Sequence, residues 1–277
     1  MVLISSPSNP RISKLKSLHT ARGRKKAGFF LMEGPHLLQA LLDADLFPHE
    51  VYYQPEILQR STQGLALLKR LLQAPALSPE QLIEVNERVI EAIGEVQTSQ
   101  GLVSVLPLAI FQPARIRARR SPGKRPALLI LDELADPGNM GTILRTALAA
   151  DVDSVLLTPH CVDHLSPKVV RAAAGAHIAL PIEAELSWEE IAGRVARHAQ
   201  QRVFLAEANS NELYYKQDLT QPFALIIGNE AHGPSEMARA LASQLISIPI
   251  YNGVESLNAA MATGIILYEA VRQVHAR

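Results

Sequence analysis

An α/β fold with a mostly parallel sheet is predicted for the second half of this chain, behind a smaller α/β domain, and three observations predict it. Short apolar runs alternate with amphipathic stretches from residue 127 onward. The first run, Ala127–Leu131, is continuously apolar, as parallel strands covered on both faces are. Three polar, glycine-bearing loops each follow such a run, in fixed order: DPGNMGTILRTA from Asp136 to Ala147, LIIGNEAHGPS from Leu225 to Ser235, and IPIYNGVESLNAAMATG from Ile248 to Gly264. Open α/β sheets place ligands where strands end in such loops, so three of them imply one composite pocket.

Taken in order, Gly34-Pro35 opens a helix whose apolar face is Leu37, Leu38, Leu41 and Leu42. Val51–Tyr53 reads as a strand, Leu65–Leu72 and Pro79–Ile93 as helices, and Leu102–Leu106 as a closing strand. Pro107, Pro113, Pro122 and Pro126, with arginines between them, predict an extended linker. The division is therefore 1–106, a basic linker at 107–125, and 126–277. After Ala127–Leu131 the strands are predicted at Ser154–Leu157, Ile178–Ile182, Val203–Ala206, Ala224–Ile227 and Leu245–Ile248. Helices fall near 142–150, 167–174, 187–200, 235–243 and 256–274. This βαβ alternation builds a mostly parallel sheet covered on both faces.

The chain has 277 residues, nearly half of them apolar, and no net charge. Its single cysteine, Cys161, excludes an internal disulfide and a cysteine-cluster metal site, and suits a cytoplasmic protein. A leader is not expected, because Arg11, Lys14 and Lys16 interrupt the opening segment, and the apolar stretch Leu257–Val271 is too short and polar to span a bilayer. The charge is unevenly spread. Residues 1–32 carry Arg11, Lys14, Lys16, Arg22, Arg24, Lys25 and Lys26 without an acid, and Arg115, Arg117, Arg119, Arg120, Lys124 and Arg125 form a second acid-free block. Two such blocks tip the balance toward a nucleic-acid partner.

Neither GxxxxGK[ST] nor GxGxxG occurs where the fold would need it, which disfavours a P-loop enzyme and a dinucleotide-binding oxidoreductase. His160, Cys161, Asp163 and His164 sit between Pro159 and Pro167 and read as a polar loop; no metal is expected.

The three loops resemble the three motifs of the SpoU (TrmH-type) branch of the SPOUT RNA methyltransferases. Asn139 and Arg145 match the first motif, Gly228-Asn229-Glu230 with Gly233 the second, and Ile248-Pro249 followed by Ser256-Leu257-Asn258 the third. One departure is Asn252, which stands where the family often has glycine; asparagine tolerates left-handed backbone, so a small loop adjustment is expected. Asn9-Pro10 with the basic residues after it, Phe30 to Gly34, and Thr98 to Val105 are similar to the RNA-binding domain often fused ahead of this catalytic domain.

The resemblance implies a trefoil knot in the C-terminal domain, S-adenosylmethionine as methyl donor, and transfer to a ribose 2′-hydroxyl of structured RNA. It implies cofactor contacts at Ala206, Gly228, Asn229, Gly233, Ile248 and Leu257, and catalytic roles for Asn139, Arg145, Glu230, Ser256 and Asn258. Arg145 acts either as base or by holding the adjacent phosphate, and Ser256 is also a candidate N-cap of the final helix. Arg11, Lys14, Arg22, Arg24, Lys25, Lys168 and Arg171 are the candidate RNA contacts. Ribosomal RNA is the favoured substrate, with transfer RNA or an inactive RNA-binding assembly factor as alternatives. A homodimer is implied, and Ala260 and Gly264 on the final helix permit a close helix approach.

Overall fold

The computed structural model describes residues 2–95, 99–119 and 127–276. Thr98, Arg120, Pro122, Lys124, Arg125 and Pro126 lie outside the described residues. The chain forms two compact units: Met1–Phe111 with Leu165–Arg171, and Gln112–His164 with Ala172–Arg277.

In chain order the first unit contains β1 (Val2–Ile4), α1 (Pro10–Ser17), α2 (Ala21–Ala27), β2 (Phe29–Glu33), α3 (Pro35–Asp43), β3 (Glu50–Tyr53), α4 (Pro55–Leu58), α5 (Thr62–Gln73), β4 (Leu82–Val85), α6 (Glu87–Ile93) and β5 (Leu102–Pro107). The sheet runs β1-β4-β3-β5-β2. The β1–β4 and β4–β3 pairs are parallel; β3–β5 and β5–β2 are antiparallel. Successive residues of a strand face opposite sides, and both sides are buried here. Tyr52, Ile83, Val103 and Val105 join Ile12, Leu15, Val89 and Ile90 in one core. Val51, Tyr53, Leu82 and Leu102 join Leu38, Leu42, Leu67 and Leu71 in the other.

This two-sided burial explains one departure from the sequence expectation. Pro79–Ile93 is not a single helix: Leu82–Val85 is a strand and only Glu87–Ile93 is helical. An apolar strand covered on both faces loses the alternation that distinguishes it from a helix, and Asn86, accepting from the Val89 N–H at 3.0 Å, starts the helix afresh.

The second unit continues with α7 (Pro113–Arg119), β6 (Ala127–Leu131), α8 (Pro137–Ala149) and β7 (Ser154–Leu157). After α9 (Pro167–Ala172), which falls mostly in the first unit, come β8 (Ile182–Glu183), α10 (Trp188–His198), β9 (Val203–Ala206), β10 (Phe223–Ile227), α11 (Glu236–Leu241), β11 (Gln244–Ile246) and α12 (Ala259–His275). The sheet order is β11-β9-β10-β6-β7-β8, and every pairing is parallel. Leu128, Ile130, Leu156, Leu205 and Ile226 bury against Ile191 and Val195 of α10 on one face. Leu129 and Leu131 point to the other face and are fully buried there.

Two further expectations are corrected. The segment around 107–125 is not an extended linker throughout: β5 reaches Pro107, a 3-10 turn spans Leu108–Phe111, and α7 starts at Pro113. Proline suits a first helical turn, where no N–H is needed. The strand predicted at Ile178–Ile182 shrinks to Ile182–Glu183 after a 3-10 turn at Ala176–Ile178. Pro181 cannot donate to a ladder, and β8 is an edge strand.

Ala260 is buried, and a Cβ added at Gly264 would stand 3.7 Å from the Thr146 side chain of α8. The small residues of α12 therefore serve a close approach to α8 of the same chain.

Candidate active site

The C-terminal ends of β9, β10 and β11 open into one cavity of about 560 Å³, closed by the starts of α8 and α12. It lies over β10, β9 and β11, on the side of β6 away from β7 and β8, at the carboxyl ends of the strands. Ile227, Ile246, Ile248, Ile250, Leu257 and Ile266 supply apolar wall. Ala206, Gly228, Asn229 and Gly233 line it as well, so all six candidate cofactor positions face one space.

The loop after β10 is fixed by its own backbone. A Cβ at Gly228 would lie 2.5 Å from the Pro234 nitrogen, a backbone atom that cannot give way, so only glycine fits. Gly233 holds φ +71° and its N–H donates to the Asn229 carbonyl at 3.0 Å, closing the turn. The Asn229 side chain ties two loops together. Its Oδ1 accepts from the Ala231 and His232 N–H groups at 2.8 and 3.1 Å, and its Nδ2 donates to the Glu133 carbonyl at 2.7 Å.

Glu230 reaches from this loop to the start of α8. Its carboxylate accepts from the Ala135 N–H at 3.2 Å, the Asp136 N–H at 3.3 Å and Asn139 Nδ2 at 2.9 Å. That bond fixes the Asn139 amide, whose Oδ1 then accepts from Asn258 Nδ2 at 2.8 Å. Asn258 Oδ1 caps α12, accepting from the Ala260 and Met261 N–H groups at 3.0 and 3.2 Å. Four of the five candidate catalytic residues, Asn139, Glu230, Ser256 and Asn258, line the cavity. Ser256 is exposed beside it, and the cap expected of Ser256 belongs to Asn258. Asn252 adopts φ +59° ahead of Gly253, the adjustment its residue type allows.

Arg145 is not among the lining residues. It is exposed on α8, and no hydrogen bond or ion pair forms at its side chain among the described residues. Six residues of helix turn it well away from Asn139.

Several site residues carried no motif signal. Glu207 and Arg239 line the cavity as a bidentate pair, both N···O distances 2.7 Å, and the guanidinium holds the Glu207 carboxyl below its usual range. Asp132, buried at the end of β6, accepts from the Ser235 N–H at 2.7 Å and so anchors the loop behind Gly228. His232, within the second loop segment but not singled out there, also lines the cavity. A carboxylate directly after a central strand was the available signal for Asp132; nothing local marked Glu207 or Arg239 as partners 32 residues apart.

The candidate RNA residues divide. Lys14, Arg22, Lys25 and Lys168 are exposed. Arg11 pairs with Glu50 at 2.6 Å while keeping a third of its side chain exposed. Arg24 is a correction: it is buried, and its guanidinium donates to the Leu18 and His19 carbonyls at 2.8 Å each, bracing the turn before α2. Arg171 is half-buried beside Glu33 with Nη1 enclosed. In the second basic block Arg117 is paired with Glu183 at 2.7 Å. Of the histidine-rich loop, the Cys161 thiol donates to the Leu131 carbonyl at 3.3 Å, and the His164 ring stacks on His177 with centroids 6.1 Å apart.

Comparison with known proteins places the chain in a family. Residues 126–268 match the SpoU rRNA Methylase family, and residues 9–104 match an MRM3-like substrate binding domain. The chain belongs to the SpoU rRNA methylase family. It is 34% identical to an uncharacterized tRNA/rRNA methyltransferase of Synechocystis, covering 98% of this chain and 93% of that one. It is 28% identical to the 23S rRNA (guanosine(2553)-2′-O)-methyltransferase RlmP of Bacillus subtilis, over 97% and 98% of the two chains. An AdoMet-bound rRNA methyltransferase from Sinorhizobium meliloti superimposes with a TM-score of 0.80 at 28% identity, covering 98% of both chains.

The cavity fits S-adenosylmethionine on its own terms. Its volume is that of an ordinary small-ligand site. Isoleucine and leucine walls suit a purine face, while Glu207, Asn209, Asn229 and the backbone of the turn at Gly228–Gly233 offer polar partners to a ribose and a zwitterionic arm.

Proposed function

We propose that this chain is an S-adenosylmethionine-dependent RNA methyltransferase acting on a ribose 2′-hydroxyl, with ribosomal RNA as substrate. One observation carries the reading: three separate loops, joined through Glu230, Asn139 and Asn258, converge on a single cavity that fits the methyl donor. The family match and the AdoMet-bound relative support the same cofactor and reaction class.

The bound donor supplies a methyl group on a sulfonium, whose leaving group departs neutral and calls for neither metal nor acid. What remains for the protein is to place an oxygen nucleophile and take its proton. Asn139 and Asn258 each keep one amide N–H beyond the bonds described, and these are suited to orient a ribose oxygen at the cavity edge. Glu230 holds the Asn139 amide in that orientation. Arg145, exposed on α8, is assigned to the phosphate next to the reacting ribose, and an oxygen of that phosphate takes the hydroxyl proton as the ribose oxygen is methylated and passes it to water.

Residues 1–106 would recognise the RNA and residues 126–277 carry the chemistry. A cytoplasmic homodimer is part of the reading, and Met261, Tyr268 and Val274, exposed along α12, support a partner on that helix. The trefoil knot belongs to it too. Its support is that the chain leaves the edge strand β11 and returns past the cavity to lay α12 against α8. Calorimetric titration with S-adenosylhomocysteine, paired with transfer of labelled methyl to ribosomal RNA, tests the function. Saturable binding with incorporation is expected; binding without incorporation would leave an inactive RNA-binding relative.

A further inference from the structure

The first unit carries a groove that no motif accounts for. The face of α1, the end of α2, the starts of β2 and β3, and Val105 of β5 enclose about 600 Å³. Leu15, Leu18 and Val105 form its apolar lining, and Phe29 and His49 stand over it with ring centroids 4.8 Å apart and planes 30° from parallel. The two rings reach across β5 from its two neighbours: Phe29 opens β2 and pairs with Pro107, while His49 immediately precedes β3 and its N–H donates to the Val105 carbonyl at 2.8 Å. A strand residue and a backbone bond to β5 therefore hold the pair, yet His49 is exposed and Phe29 only partly covered.

The groove is also positive in balance. Its one acid, Glu50, is matched by Arg11 at 2.6 Å and accepts from the Tyr52 hydroxyl at 2.6 Å. Burial would raise that carboxyl, but the bonds from Arg11 and Tyr52 outweigh it and keep it ionised. Lys14 is exposed at the groove with no ion pair among the described residues. Lys25 and Lys26, exposed in the last turn of α2, precede Ala27 at its edge.

We propose that this groove is a stacking subsite for an unpaired base of an RNA strand, with Phe29 and His49 as the platform and Lys14 and Arg11 on the adjoining phosphates. It rests on the reading of the chain as an RNA enzyme, and adds that the substrate is gripped at a single-stranded nucleotide. Every base has a π-face, so a supported aromatic pair beside cations binds single strands with little sequence preference. A paired base stays in its stack and cannot occupy such a platform.

The full-length chain is titrated with fluorescein-labelled hexa-adenylate and with a blunt RNA duplex over a range of salt. Phe29→Ala and His49→Ala are each expected to weaken hexa-adenylate binding about 5- to 150-fold, the range measured for lost base stacking, with an unchanged salt slope and unchanged duplex binding. Phe29→Tyr, which keeps a stacking ring, retains affinity. Lys14→Ala lowers the single-strand salt slope by about 0.7. Thermal unfolding of each variant reads out folding separately. The subsite is overturned if wild-type chain ignores hexa-adenylate, if both alanine variants bind it like wild type, or if duplex binding falls in parallel. It is also overturned if the groove variants lose binding of hexaglutamate instead, which would mark an acidic protein partner. Methyl transfer by the wild-type chain is read in parallel: its absence refutes the catalytic reading, whereas transfer with unchanged hexa-adenylate binding refutes only the subsite.

Discussion

Asn258 Nδ2 donates to Asn139 Oδ1 at 2.8 Å, joining the N-cap of the helix after β11 to the first turn of the helix after β6. The link spans 119 residues of sequence and lies at the edge of the cavity, so two helix starts and one substrate-facing surface are set together. Asn258→Asp isolates it. Aspartate still caps α12 through a carboxylate oxygen but can no longer donate to Asn139. Methyl transfer should fall more than about tenfold, the equivalent of one lost hydrogen bond of about 1.4 kcal/mol, with thermal stability nearly unchanged. Transfer rates equal to wild type would remove Asn258 from the site.

Gly228→Ala tests the turn behind the cofactor. The new Cβ would meet the Pro234 nitrogen at 2.5 Å, so the loop Gly228–Ser235 must shift away from its place beside the cavity. Affinity for S-adenosylhomocysteine should fall at least about tenfold. Calorimetry reads it directly, and unchanged affinity would show that this loop does not shape the cofactor subsite.

Arg145→Ala separates binding from chemistry. Because Arg145 is exposed and off the cavity wall, cofactor affinity should stay within about twofold of wild type, while transfer falls by about a hundredfold or more. Arg145→Lys should recover only part of the rate, since a point charge lacks the guanidinium fork. Steady-state assays at saturating donor check both, and full activity of the alanine variant would exclude any role on the phosphate.

His177 gives the fold a pH dependence of known sign. Complete burial, aided by the neighbouring His164, pushes its imidazole down from an ordinary 6.5 to about 3. The unfolded chain thus takes up a proton near pH 6.5 that the folded chain refuses. Stability owed to neutral His177 is intact above pH 6.5, drains away as the pH falls toward about 3, and changes no further below that. Urea midpoints measured from pH 7 to pH 4 should fall more steeply for wild type than for His177→Gln. Parallel curves would contradict the assignment.

Much of the second unit was legible because its strands and loops announce themselves locally. Ala127–Leu131, Val203–Ala206 and the run to Ile227 are too apolar and too short for helices, and the polar glycine loops after them mark strand ends. The first unit was harder. Asn9-Pro10 is a local helix-start signal, with Asn9 accepting from the Arg11 N–H at 2.9 Å and proline at the first position, yet the basic α1 and α2 carry few apolar residues to show a periodic face. Leu82–Val85 is buried on both sides and so reads equally well as part of a helix. Within the site, Gly228 and Asn229 could be picked out because their loop resembles the family's second motif. The Glu207–Arg239 pair could not, since it forms only when β9 comes to lie beside β11, and Asp132 showed only as a carboxylate after an apolar strand, its partner Ser235 arriving when β10 lies beside β6. Arg24 shows the reverse error: a basic run suggests a surface, but two carbonyls at a tight turn bury one of its members.

The most direct measurement is nucleoside mass spectrometry. Ribosomal RNA from cells lacking this protein is incubated with the purified chain and deuterium-labelled S-adenosylmethionine, then digested to nucleosides. A single kind of labelled 2′-O-methylnucleoside, at no more than about one per ribosomal RNA and lost with Asn258→Asp, is the predicted result. Label on a base, or no label while S-adenosylhomocysteine still binds, would contradict the account.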